Sequence, residues 1–260
     1  MNVNDGAHIS PWLVAALCPL LAAVAAVYSA VGLGGGTGYL AIMVLGGLPA
    51  QNIPSTALLL NVGVTGISLI RYGLARRVKA RVLFPFLVPA IPAAFFGGLS
   101  RAPHRVFLVV LGVALLAAAA ATFRSARQTD ESLRQPLFRT RWAVGIPCGA
   151  IIGFISGMVG IGGGVFAGPL ILSLRWAGPK EVAAMNAVLV FVLSAVGLFG
   201  HGVRGAVSIS LVLPFAVATL VGGLLGAQVG ERWLSPATLQ KIFAVVILVA
   251  GLKTVIDAII

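Results

Sequence analysis

Side chains able to do acid–base, nucleophilic or metal chemistry are scarce in this chain of 260 residues. Its six acidic residues, Asp5, Asp130, Glu131, Glu181, Glu231 and Asp257, fall in tails, in one polar linker or at the ends of apolar segments. The two cysteines, Cys18 and Cys148, lie far apart inside apolar runs and read as small buried hydrophobes rather than a redox or metal pair. No HExxH, Ser/His/Asp or Walker pattern occurs. Catalysis is therefore not expected, and neither is a cofactor or a bound metal.

The chemistry on offer is that of the backbone. Val31-Gly32-Leu33-Gly34-Gly35-Gly36 returns as Val159-Gly160-Ile161-Gly162-Gly163-Gly164. Successive glycines tolerate the backbone angles that end a helix. A break inside a membrane leaves N–H and C=O groups that lipid cannot satisfy, so they must line a cavity or meet a ligand. The helix that restarts after the break presents free N–H donors and a partial positive charge, which suits an anion. The competing reading is close helix packing, and it is the preferred one for Gly222, Gly226 and Gly230 at their four-residue spacing. Gly32-x-Gly34 lacks the strand and ribose-binding acid of a dinucleotide fingerprint.

Polar side chains near the breaks are few: Thr37, Ser55, Thr56 and Asn61 in the first half, Asn186 and Ser194 in the second. Thr56 and Asn186 occupy matched places early in the next segment, as ligand contacts or as interhelical hydrogen bonds. The expected substrate-binding set is Gly34, Gly35, Gly36, Thr56, Gly162, Gly163, Gly164 and Asn186, with a small anion as the partner. Arg71 and His201 end their segments; either could draw in an anion, although a solvated loop end explains both.

The elements that position these residues are membrane spans. Only 9% of residues are charged and 59% are hydrophobic, whereas soluble domains carry about 25% charged residues. Residues 9–70 contain no Asp, Glu, Lys or Arg, and a spanning helix needs only about 20 apolar residues. No sustained alternation marks a β-barrel. The net charge of +12 sits in short loops, which reads as control of topology rather than nucleic-acid binding. No Lys or Arg precedes the first apolar run, only Asp5 and His8, so it is expected to be a span rather than a signal peptide. Trp12, Trp142, Trp176 and Trp233 stand at segment ends, as in an interfacial aromatic belt.

Each half divides into five segments, at about 11–32, 37–50, 54–71, 82–100 and 106–123, then 143–160, 165–177, 182–200, 206–229 and 238–257. Pro49 and Pro179, Tyr72-Gly73 and His201-Gly202, and Pro85-Phe86 and Pro214-Phe215 recur in order, which implies an internal duplication. The expected organisation is a first repeat over 1–123, a basic cytoplasmic linker over 124–141 and a second repeat over 142–260. The fold class is an all-α polytopic membrane protein with Gly-broken helices after the first span of each repeat. If every segment crosses, the halves are inverted, and Arg101, Arg105, Arg204 and Lys253 stand apart from the rest of the 18 Lys and Arg. A short second segment that only dips in would make the halves parallel and spread the charge more evenly. The charge asymmetry favours inverted halves with both termini outside.

These motifs together resemble the TauE/SafE family of sulfite exporters over about residues 11–259. The resemblance rests on the Gly-x-Gly-Gly-Gly run in each half and Pro169 in the second copy. It also rests on the loops Gly47-Leu48-Pro49 and Gly178-Pro179, with Thr56 or Asn186 early in the next helix. Ala41 stands where the family tends to have Pro, and Asn186 where it tends to have Thr. The resemblance implies multi-pass placement in the bacterial inner membrane, export of sulfite or a similar organosulfonate, and coupling to protons. A channel-like pore for a small anion or neutral solute is the alternative. Oligomeric state is left open.

Overall fold

A computed structural model describes residues 11–31, 34–71, 78–100, 103–125, 137–203, 209–229 and 236–259. All the regular structure among them is helical: α1 (Pro11–Val31), α2 (Gly36–Leu45), α3 (Ile53–Arg71), α4 (Ala80–Leu99), α5 (His104–Ser125), α6 (Phe138–Val159), α7 (Gly164–Ser173), α8 (Pro179–Val203), α9 (Ile209–Val229) and α10 (Pro236–Ile259). Every expected apolar segment contains one helix. Four of them, within α1, α4, α6 and α8, are long and apolar enough to cross a membrane.

The distribution of side chains is that of a protein solvated by lipid. Phe84, Phe96, Phe199, Leu213 and Val217 are exposed on the outside. The polar residues Ser29, Thr37, Asn61, Thr65, Ser156, Asn186, Ser194 and Thr219 are buried inside. Several hydroxyls turn back on their own helix: Thr65 Oγ1 donates to the Asn61 carbonyl at 2.5 Å, and Thr219 Oγ1 to the Phe215 carbonyl at 2.8 Å. Such bonds satisfy the hydroxyl where no water is present.

Prolines are tolerated because neighbours take up the carbonyls they free. Pro85 cannot donate to the carbonyl of Arg81, four residues earlier. Arg141 Nη1 donates to that carbonyl instead, at 3.5 Å.

The helices interlock across the chain. The α1 and α9 helices run side by side in one direction, with Cys18 near Pro214, Ala22 against Gly222 and Ala26 against Gly226. In the same way α4 and α6 run together, pairing Pro85 with Gly145, Phe86 with Gly149, Ala90 with Gly153 and Ala94 with Gly157. In each case a Cβ on the glycine would overlap the opposite backbone, so the two helices approach to backbone contact. This matches the packing reading of Gly222 and Gly226; Gly230 lies outside the described residues.

By contrast α3 and α8 run in opposite directions, pairing Gly66 with Phe191 and Leu58 with Gly197. So do α5 and α10, where Gly112 meets Val255 and Gly251 meets Leu116. The short α2 turns back along α1, setting Gly38 against Val24 and Gly46 against Leu17. The α2 and α7 helices have 10 residues each, or about 15 Å at 1.5 Å per residue.

Two sequence expectations are corrected. Trp176 is buried rather than interfacial, with its ring centroid 6.1 Å from that of Phe86. The cause is the turn after α7, where Arg175 takes φ 59 and folds Trp176 inward. His201 is also buried rather than solvated. Its Nε2 lies 2.9 Å from the Gly157 carbonyl, a bond within the α6/α8 contact. The side chain of Arg71, and Trp233, lie outside the described residues.

Candidate functional site

Both glycine runs break the chain as their composition requires. Gly34 and Gly35 have φ 83 and 115; Gly160, Gly162 and Gly163 have φ 93, 84 and 80. These left-handed values are strained for any residue with a Cβ. Each break hands over to a short helix whose first residue is a further glycine, Gly36 or Gly164. Neither helix has a side-chain cap: Gly35 and Gly163 hold the cap positions. The first bond of α2 runs from the Tyr39 N–H to the Gly35 carbonyl at 2.9 Å. The N–H groups of Gly36, Thr37 and Gly38 therefore precede the helical ladder. In α7 the first bonds come from Phe166 and Ala167 to Gly163, both at 3.1 Å, so the N–H groups of Gly164 and Val165 stand in the same position.

The two breaks meet. A Cβ on Gly36 would overlap the Ile161 carbonyl of the other half. Cβ atoms on Gly34 and on Gly162 would each come within 2.8 Å of Val190 Cγ1, so one valine touches both runs. Asn61, fully buried on α3, stands between them. Its Oδ1 is 3.4 Å from the Cβ position of Gly34, and its Nδ2 is 2.9 Å from that of Gly162. Nδ2 donates to the Ile161 carbonyl at 3.4 Å. A carbonyl can only accept, so this bond sets which way the amide points: Nδ2 lies between Gly36 and Gly162, and Oδ1 is left beside Gly34.

Polar atoms without protein partners collect here. Asn61 Oδ1, Ser194 Oγ and Asn186 Oδ1 are buried with no hydrogen bond. Ser194 Oγ is 3.0 Å from the Cβ position of Gly162, and the Asn186 side chain borders both Gly164 and Gly168. A buried unpaired polar group costs about 1–3 kcal/mol. Buried groups of this kind are ordinarily completed by a protein partner, an ordered water or a ligand.

Of the residues expected at a site, the six glycines and Asn186 come together. Thr56 is buried on the same helix as Asn61 but is not among the nearest neighbours of any break glycine. The residues that sequence reasoning left out of the set are Asn61, Val190 and Ser194. Asn61 and Ser194 carried the usable signal, as polar side chains at membrane depth; Val190 carried none. Among the described residues no cluster of His, Cys, Asp or Glu could hold a metal.

Residues 17–254 match the family described as Sulfite exporter TauE/SafE. The "Probable membrane transporter protein y4hK" of Sinorhizobium fredii is 36% identical over 231 residues, which is 88% of this chain and 93% of that protein. The "Probable membrane transporter protein YunE" of Bacillus subtilis is 28% identical over 45% of this chain and 42% of its own length. That of Methanocaldococcus jannaschii, "Probable membrane transporter protein MJ0441", is 28% identical over 41% of this chain and 43% of its own. No solved structure matches the chain. With ten apolar helices among the described residues, paired glycine breaks and a family match over nearly its whole length, the chain is a multi-pass membrane transporter, not an enzyme, and belongs to the TauE/SafE family.

Proposed function

We propose that this transporter exports sulfite or a small organosulfonate across the bacterial inner membrane, binding it between the two glycine breaks. The observation that carries the reading is the meeting of two uncapped helix starts around Asn61. An anion in a low-dielectric site needs donors or positive charge. No Lys or Arg occurs within α1, α2 or α7, or in α3 before Arg71. Backbone N–H groups of Gly35, Gly36, Gly163 and Gly164, with Asn61 and Asn186, are the donors on hand. The unpaired Oδ1 atoms of Asn61 and Asn186 are acceptors. They favour an anion that keeps a proton or bears a hydroxyl, such as hydrogen sulfite. Such a substrate carries its own proton, which suits proton-linked export without a membrane-embedded acid.

The alternating access this requires rests on two inverted repeats, 1–123 and 142–260, joined by the cytoplasmic linker 124–141. The opposed runs of α3 and α8, and of α5 and α10, support an axis in the membrane plane. The exchange of α1 with α9 for α6 with α4 supports the same pairing. In that register Asn61 matches Val190 and Thr65 matches Ser194, so Asn186 falls opposite Ala57, and Thr56 is one residue away.

Flux of sulfite from liposomes holding the purified protein tests the reading. Losing a hydrogen bond to a charged ligand costs about 1.5–3 kcal/mol, so Asn186→Leu is expected to lower apparent affinity about tenfold or more. Unchanged flux in the double variant Thr56→Val, Asn186→Leu would reduce both to packing residues. A steady uncoupled current would favour a pore instead.

A further inference from the structure

Arg141 leaves one of its donors unused. Its Nη1 is spent on the carbonyl that Pro85 frees, yet its Nε is buried without any partner. It stands at the mouth of a groove of about 570 Å³ between the first turns of α4 and α6. Arg81, Phe84, Pro85, Val88, Phe138 and Trp142 line the rest. Along α4 the lining residues are three and four positions apart, so they form one stripe. That stripe begins at a cation and continues into apolar side chains. Phe84 and Val88 are exposed at 52% and 49%, with nothing among the described residues laid over them. Phe138 and Trp142, one turn apart on α6, set their rings 6.0 Å from each other at a tilt of 50° on one wall of the groove, as aromatic residues gather at a headgroup boundary. Neither α4 nor α6 has a side-chain cap, so both positive helix ends open at the same level.

We propose that this groove holds one anionic phospholipid, its phosphodiester between Arg81 and Arg141 and an acyl chain along Phe84 and Val88. The charge at one end and the bare apolar stripe at the other fit a headgroup joined to a tail. They fit neither a free phosphate nor a protein segment. Basic pockets between membrane helices on the cytoplasmic side bind such headgroups. The corresponding positions at the opposite face are Ser210, Leu13 and Val14, which carry no charge. The repeat-related positions therefore lack this pair of cations.

Native mass spectrometry of the full chain, with phosphatidylglycerol and phosphatidylcholine in equal amounts, tests this. Wild-type protein should retain a single phosphatidylglycerol at least tenfold over phosphatidylcholine. Arg81→Gln with Arg141→Gln should remove that preference, while Arg139→Gln, exposed on the same helix, should keep it. Equal retention of the two lipids by wild-type protein overturns the proposal whether or not the double variant folds. So does a preference that survives the double substitution. Inorganic phosphate should not displace the lipid; if it does, the groove is an anion site with no use for the tail.

Discussion

Asn61 does two things with one amide. Its Nδ2 ties α3 to the opposite break through Ile161, and its Oδ1 faces the first break unpaired. Asn61→Leu keeps the branched shape but removes both functions. Flux should fall tenfold or more, while insertion is retained because leucine suits the interior. Binding of the radiolabelled anion to purified protein would check this, and wild-type affinity in the variant would remove Asn61 from the site. Gly36 acts through its lack of a side chain. Gly36→Ala would press a methyl into the Ile161 carbonyl, and overpacking of this kind costs about 1–3 kcal/mol. Thermal unfolding in detergent should register the loss. Gly47 makes the control: it also has a positive φ, 72, but a Cβ there meets nothing. Gly47→Ala should therefore carry only the backbone term.

At the scale of the helix, the pattern of apolar runs and glycines was largely readable. All ten segments could be placed because lipid demands continuous apolar stretches and the breaks carry runs of glycine. The short helices were overestimated, 37–50 against Gly36–Leu45 and 165–177 against Gly164–Ser173. Leu48 and Trp176 are apolar and buried but lie in turns, which composition cannot separate from helix. Gly145, Gly149, Gly153 and Gly157 repeat the four-residue spacing that was singled out only at Gly222, Gly226 and Gly230. That ladder packs on α4, and a contact between helices so far apart in sequence leaves no local mark. For the same reason Asn61 could be singled out as polar but not placed beside Ile161. Gly149→Leu or Gly153→Leu should force α6 from α4 and lower the unfolding temperature in detergent. A loss well above the approximately 1–3 kcal/mol typical of one overpacked site is expected, because the contact is with backbone that cannot yield. An unaltered melting curve would mean the two helices are not in backbone contact.

For the whole molecule, the testable matter is which face is which. With Cys18 and Cys148 replaced, a single cysteine at Gln128 should resist an impermeant reagent added to whole cells, and one at Pro103 should react. Strong labelling at Gln128 would turn the molecule over. Labelling at Arg175 with Gln128 protected would leave the two halves parallel. The interlock of the halves also has a consequence for how the protein is made. Cys18 of α1 lies beside Pro214 of α9, 196 positions along the chain. At about 5–20 residues per second, α9 leaves the ribosome some 10–40 s after its partner. Through that interval Ala22 and Ala26 face lipid or a chaperone of the membrane, and Ser29 lacks the Gly223 carbonyl it donates to at 3.1 Å. A nascent chain halted before α9 should thus present these unpartnered groups to membrane quality control until α9 is made.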